Sequence, residues 1–525
     1  MRVLKKKRRQ EEKSIDSPVK AKLLGKKLDE NVAIIKNELG NSSDLSINIS
    51  VLDANGLHYA VLYIDNLIDN SSINSLSIEL SEMFKAKDAS KAPKDSFSIL
   101  SNFLSGFRET EEGYEFDALI QDILSGNTIF LLDGYDKFLS IDTFMPKGRD
   151  IAEPTTQNVI RGPREAFTEK ISVNISLVRK RIKNKALRVE NLSAGTMTNT
   201  QIMLMYIDKV AKKEIVDEIK RRLDRIKIDG ILDSGHIEEL IKDDRYSIFP
   251  EFLSSEKPDS VAAALLEGRV AIFTDGTAYV LTAPAMFIEF LQASEDYYHQ
   301  YMVSSVIRII RYLALLLTLF VPAGYVSLVK FHQEMIPAPL LISIAAQREG
   351  VPFPALFEAI LMEVIFEILR EAGIRLPRVI GPAISIVGAL VLGQATVEAG
   401  IVSAVMVIIV SITAISSFAI PNYSMANAIR IIRFAFMFLA GIFGLFGVFM
   451  GLIALILHLC KLKTIGIPYM APIAPKTKYA MKDSILRYPI WISKSRPPGV
   501  SAAQSPRVDE DNPVTPKQKE SQEFR

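Results

Sequence analysis

Beyond Ser305 the chain runs through four apolar stretches, 309–329, 379–397, 401–420 and 434–459, for which a single water-soluble domain has no place. Each is long enough to cross a hydrocarbon core of about 30 Å at about 1.5 Å per residue. Most Asp and Glu precede position 300, so the chain reads as a soluble front end on an integral membrane body. The 525 residues divide on this reading into a disordered basic tail (1–28), a first soluble subdomain (29–145), a linker (146–164) and a second soluble subdomain (165–285). A transmembrane domain (286–460), a proline-rich strap (461–493) and a disordered tail (494–525) follow.

Composition removes several function classes. Lys and Arg number 62 against 60 Asp and Glu, a formal charge of +2, which makes no case for nucleic acid. The single cysteine, Cys460, excludes disulfides within the chain, four-thiolate zinc and CxxC redox chemistry. The five histidines, at 58, 236, 299, 332 and 458, lack any metal-ligand spacing, so neither a metal nor a cofactor is expected. No GxGxxG follows a strand, and there is no phosphate-binding loop and no G-x-S-x-G. The chain therefore reads as a non-enzyme. The basic run Lys5 to Arg9 leads into Gln10-Glu11-Glu12-Lys13 with no apolar core, so it is not a secretory signal.

The soluble half repeats itself. Stretch 45–51 alternates as a half-buried strand, 57–64 is strand-like and 115–124 has helical spacing, giving an α/β or α+β region. Gly126-Asn-Thr-Ile-Phe-Leu-Leu-Asp133-Gly134 is echoed by Gly268-Arg-Val-Ala-Ile-Phe-Thr-Asp275-Gly276, and Tyr63-Ile64-Asp65 by Tyr206-Ile207-Asp208. The two Asp-Gly pairs read as tight turns that need positive φ. Between the repeats, Arg161-Gly162-Pro163-Arg164-Glu165-Ala166-Phe167 is a turn with charges and an apolar anchor. It is either a linker that docks a neighbouring domain or subunit, or an ordinary charged loop.

In the membrane half, Pro354 suits a helix start, and the run that follows carries Glu358, Glu363 and Glu367. A step of about 100° per residue places Glu363, Glu367, Arg370 and Glu371 on one face and Glu358 on another. Each carboxylate facing lipid at mid-depth costs about 3 kcal/mol, so the stripe should face protein or water. Either Glu363 and Glu367 border a hydrated ion path formed by several copies, or the segment is interfacial or re-entrant and pairs with Arg370. The prolines at 337, 339, 352 and 354 break any helix and favour a buried re-entrant element. Gly447 and Gly451 form a GxxxG, suited to oligomerisation or to packing within one chain. Arg308 and Arg311, then Arg370, Arg375 and Arg378, then Arg430 and Arg433, then Lys461 and Lys463 flank the apolar stretches. Five spans place the C-terminal tail opposite the soluble half. Four return it to the same side but put two of the clusters opposite.

Together, Arg161-Gly-Pro-Arg-Glu-Ala-Phe-Thr-Glu169, Phe353-Pro354 with Glu358, Gly381-Pro382-Ala383, Pro421-Asn422-Tyr423 and Pro468-Tyr469-Met470-Ala471-Pro472 resemble the A subunit of GerA-type spore germinant receptors. The similarity spans about 45–491 and extends to a paralogue encoded with the SpoVA dipicolinate-release system. The resemblance implies a component of a nutrient-sensing complex in the inner membrane of the endospore, with its soluble half toward the core. It implies a transporter-like B subunit that binds the germinant, a lipoprotein C subunit, and assembly of this subunit as a homo-oligomeric, pentameric cation channel. The matched membrane motif is Phe353, Pro354 and Glu358, and the matched linker motif is Arg161 to Glu165. Two other classes remain open at this point: a secondary transporter with a site in the broken 337–370 region, and a non-conducting assembly scaffold.

Overall fold

The computed structural model describes residues 22–51, 57–65, 67, 68, 73, 75, 76, 78–80, 82, 96–144, 153–375, 393–476, 483–492, 496, 497, 499–502 and 507. The Gly381-Pro382-Ala383 motif and most of stretch 379–397 lie outside the described residues.

The soluble half consists of two copies of one α/β module. In the first, α1 (Leu28–Glu38), α2 (Ser96–Ser105) and α3 (Phe116–Ser125) accompany β1 (Leu45–Val51), β2 (His58–Ile64), β3 (Thr110–Gly113), β4 (Thr128–Leu132) and β5 (Phe138–Ile141). In the second, α4 (Ile171–Arg181), α5 (Lys213–Asp224), α6 (Ser234–Ile241) and α7 (Pro258–Leu266) accompany β6 (Leu187–Ala194), β7 (Thr200–Ile207), β8 (Leu253–Ser255), β9 (Val270–Thr274) and β10 (Val280–Ala283). The sheets run β1-β2-β4-β5-β3 and β6-β7-β9-β10-β8, antiparallel throughout. Register is duplicated as well: Tyr59 pairs with Leu132 in one sheet and Ile202 with Thr274 in the other. Every residue of β4 and β9 is buried, because apolar clusters cover both faces of each sheet.

The Asp-Gly turns have the positive φ expected of them, 85° at Gly134 and 87° at Gly276. They also do something the sequence did not announce. Asp133 Oδ1 accepts from Leu28 N at 3.0 Å and Asp275 Oδ1 from Ile171 N at 3.3 Å, so each turn caps the first helix of its module. Asn31 and Asn174 repeat a second bond, each amide donating to a backbone carbonyl (Gly25 and Thr168) at 2.6 Å. Residues 22–28, expected as disordered tail, are thus part of the first module, with Leu24 buried as Phe167 is in the second.

The modules are locked by a buried ion pair. Arg179 on α4, 3% exposed, donates from Nε to Asp44 Oδ2 at 2.8 Å and from Nη2 to Asp44 Oδ1 and Ser42 Oγ, each at 3.0 Å. Ser43 N completes the seam by donating to the Val189 carbonyl at 2.8 Å.

The C-terminal half is helical: α8 (Tyr301–Phe331), α9 (Ala338–Arg348), α10 (Ala355–Arg375), α11 (Gly393–Glu398), α12 (Ala404–Phe418) and α13 (Tyr423–Lys461). Two described helices, α8 and α13, are long and apolar enough to cross a membrane. The stretch 401–420 yields only the 15-residue α12, about 22 Å long, short of a full crossing. The stretch 434–459 is not one straight span. Gly444 breaks α13 with φ 63° and ψ −148°, and a Cβ on Gly451 would meet the Phe436 ring at 3.2 Å, a contact that two residues 15 apart make only if the chain folds back. α13 is a helical hairpin whose apex lies against Phe331 and His332, at the far end of α8. The GxxxG glycines therefore serve packing within one chain: a Cβ on Gly447 would sit 2.4 Å from the Leu439 carbonyl oxygen of the other arm.

After the hairpin, β11 (Lys463–Thr464) and β12 (Ile467–Pro468) form a two-stranded turn on the soluble half, so the strap returns to the side it started from. The described residues of the 494–525 tail also make contacts, Ala502 N donating to the Val210 carbonyl at 2.9 Å. At α9 the prolines do break the helix, and of its residues only Ile344 is buried against this chain.

Candidate functional site

α10 begins directly after Pro354, whose carbonyl accepts from Glu358 N at 3.1 Å, and the ring of Phe353 lies 4.8 Å from that of Phe357. The helical phase separates the three carboxylates as the spacing predicts. Glu358 points to the N-terminus of α12, where Oε1 accepts from Ser403 N at 2.6 Å and from Ser403 Oγ. A carboxylate there meets the positive end of the helix dipole, and Arg348 Nε stands 3.8 Å from its other oxygen.

Glu363 and Glu367 face the first arm of the hairpin. Arg433 Nη2 lies 2.7 Å from Glu363 Oε2 and 3.3 Å from Glu367 Oε1. Arg430 and Arg370 reach Glu367 Oε2 at 3.1 and 2.7 Å. Glu363 is fully enclosed, whereas the Glu367 side chain is 23% exposed. The cluster thus joins two carboxylates to three arginines, and it clamps α10 to α13. The sequence pairing with Arg370 is present, but the stronger partners are Arg430 and Arg433, which the sequence presents only as charges flanking an apolar stretch. Arg308 and Arg311 are absorbed in the same way, into bonds with Asp296 at 3.0 and 2.8 Å. Arginines spent in buried pairs carry no orientation signal, which is why counting them gives no consistent topology.

A second cluster joins the helices to the second module. The strap residue Tyr469 is fully buried among Phe249, Phe287 and Phe290, at ring-centroid distances of 6.4, 6.2 and 6.1 Å. Its carbonyl accepts from Phe287 N at 2.9 Å. Burial raises its phenol pKa well above the usual value. Thr464 Oγ1 donates to the Glu251 carbonyl at 2.8 Å, and Ile465 enters the core of the second module. Next to this, Asp296 and the strap residue Asp483 share Arg308, whose Nη1 lies 2.8 Å from Asp483 Oδ1. The Pro468-Tyr469-Met470 motif is thus a wedge between soluble half and membrane helices, and Asn422 of Pro421-Asn422-Tyr423 caps α13 by accepting from Met425 N at 3.0 Å.

Within this chain the charged pairs of the linker motif are short-range. Glu165 pairs with Arg181 of α4 and lies 3.7 Å from Lys180, while Arg164 reaches Glu153 at 3.5 Å with both side chains exposed. Arg161 is exposed, Pro163 is half-buried, and Gly162 packs on the Tyr298 ring. Phe167 is a core residue, edge-on to Phe273 at 5.8 Å.

Fold and clusters define a membrane protein whose duplicated α/β head is fastened to its helices by a C-terminal strap. Residues 33–498 match the family described as Bacillus/Clostridium GerA spore germination protein. The chain is 46% identical over 496 residues to spore germination protein KA of Bacillus subtilis (strain 168), covering 94% of this chain and 90% of that protein. It is 38% identical over 484 residues to spore germination protein A1 of the same strain, covering 92% and 97%. A crystal structure of the N-terminal domain of the A subunit of the Bacillus megaterium spore germinant receptor GerK3 is 33% identical, covers 51% of this chain and 98% of that one, and has a TM-score of 0.40. The chain belongs to the GerA family of spore germination proteins.

Proposed function

We propose that this chain is the A subunit of a nutrient germinant receptor in the inner membrane of the spore, its soluble half toward the core. Several copies, a pentamer, form a cation channel that opens when nutrient binds a transporter-like B subunit, with a lipoprotein C subunit completing the complex. The observation that carries this reading is the unbroken contact from the second module through Tyr469 to the hairpin, and from the hairpin through Arg433 to the carboxylates of α10. Family membership supports the germination role.

The arrangement suggests how opening would work. With three arginines on two carboxylates, the cluster is a lock and not a cation filter. Moving α10 away from the hairpin separates Glu367, the more exposed of the two, from Arg430 and Arg433 and leaves its charge beside the path. Nutrient can drive this only by favouring the open arrangement; moving from 1:99 to 99:1 requires about 5.5 kcal/mol of differential binding. The experiment is potassium release from spores in which this receptor is the sole one of its family. Release on nutrient addition, lost on deletion of this chain and restored by complementation, is the expected result. Release that persists without the chain contradicts the proposal.

A further inference from the structure

We infer that strap residues 485–492 form a lipid-interface anchor, with Trp491 seated among the headgroups on the soluble-half side of the membrane. The inference needs only that α8 spans a bilayer and stands apart from any ion conduction.

The depth of this segment follows from α8. Phe331 lies at the hairpin apex, the far membrane surface, and Lys330 Nζ donates to the Gly441 carbonyl there at 2.6 Å. About 20 residues cross the core. The 31-residue α8 is about 46 Å long and a bilayer with its headgroups is about 40–45 Å thick, so with Phe331 at the far surface the Tyr301 end of α8 lies in the headgroup layer on the soluble-half side. The strap is bonded to this stretch. Ser305 Oγ donates to the Arg487 carbonyl and accepts from Arg487 N, both at 3.1 Å, and the Trp491 ring lies edge-on to Tyr301 at 6.0 Å. Arg487 Nη1 donates to the His299 carbonyl at 2.6 Å, and Asp483 holds Arg308.

The polar side of the segment is therefore held against protein, and its apolar side is open. Ile485, Leu486, Tyr488, Ile490, Trp491 and Ile492 are exposed, Ile490 by 62% and Trp491 by 48%. They continue the exposed apolar stripe of α8 that begins at Met302 and Val306. Tryptophan and tyrosine side chains, apolar in body and polar at one tip, favour this depth of a bilayer. Continuity with a lipid-facing helix selects lipid as the occupant over a protein partner.

Trp491 is the sole tryptophan of the sequence, so the emission of the unmodified full chain reports this position alone. In nanodiscs of phosphatidylcholine and phosphatidylglycerol the emission should be blue-shifted and little affected by iodide. It should be lost when the lipids carry bromine near the glycerol end of their chains, and lost less with bromine near the methyl end. The Ile490→Ser/Ile492→Ser variant should shift emission to the red and admit iodide at unchanged assembly mass. Iodide quenching without bromolipid quenching places the segment in water and overturns the inference. Blue-shifted emission that no bromolipid quenches places it against a second copy or a partner protein and overturns it equally.

Discussion

Replacing Asp44 by alanine strands the Arg179 guanidinium, 3% exposed, without the carboxylate that accepts two of its hydrogen bonds. Breaking a buried pair from one side costs about 3–5 kcal/mol, because the remaining charge stays desolvated. The loss falls on the seam between the modules, where Ser43 N and Val189 N make the neighbouring bonds. At about 1.4 kcal/mol per tenfold change, amide exchange across 39–51 and 185–194 should quicken about 100- to 4,000-fold, read by hydrogen-exchange mass spectrometry on the full chain in detergent. Lys185→Ala is the internal control. It removes an ion pair to Glu38 whose side chains are 49% and 38% exposed, a pair worth about 0–1 kcal/mol. Asp44→Leu/Arg179→Leu should recover most of the protection. Exchange in Asp44→Ala no faster than in Lys185→Ala would refute the view that this pair holds the modules together.

Three further outcomes follow from the geometry. The Tyr469 hydroxyl has no hydrogen-bond partner among the described residues, so Tyr469→Phe should be neutral, whereas Tyr469→Ala should cost about 3–5 kcal/mol and expose the strap to trypsin in isolated membranes. Burial pushes the Glu238 carboxyl up to about 7 from 4.5, against the opposing pull of Lys242. The native state then keeps a proton that the unfolded chain releases, so this residue's contribution to stability falls as pH rises from about 4.5 to about 7 and is level above. Glu238→Gln removes that slope, and melting curves of parent and variant should converge toward acid and separate at neutral pH; parallel curves would remove the assignment. The hairpin predicts that Cys460 and a cysteine at Ser424, placed in a Cys460→Ser background, react with an impermeant maleimide from the same membrane face. Labelling from opposite faces would rule the hairpin out.

The duplicated fold was legible because glycine and aspartate recur where the backbone demands them: Gly126, Gly134, Gly268 and Gly276 all have positive φ, and nothing else in that stretch needs to be alike. The phase of Glu363 and Glu367 was legible for a similar reason, since a helix fixes angular position whatever surrounds it. Their partners were not, because Arg430 and Arg433 lie more than sixty positions away and look like any basic flank. The hairpin was hidden by its own composition: an apolar run that turns at a glycine, Gly444, carries no proline or polar loop to mark the turn. Asp44 and Arg179, 135 residues apart, are two ordinary charges until the modules meet.

The central claim, a subunit of a nutrient-gated channel locked by the α10 cluster, is met most directly by current across a planar bilayer holding the purified chain with its B and C partners. Cation current on nutrient addition, already present without nutrient in Glu363→Gln and Arg433→Gln, which each remove one side of the lock, and with single-channel conductance lowered in Glu367→Gln, is the predicted result. Silence under every condition, with the oligomer verified intact by mass, would contradict it and leave this chain a non-conducting scaffold.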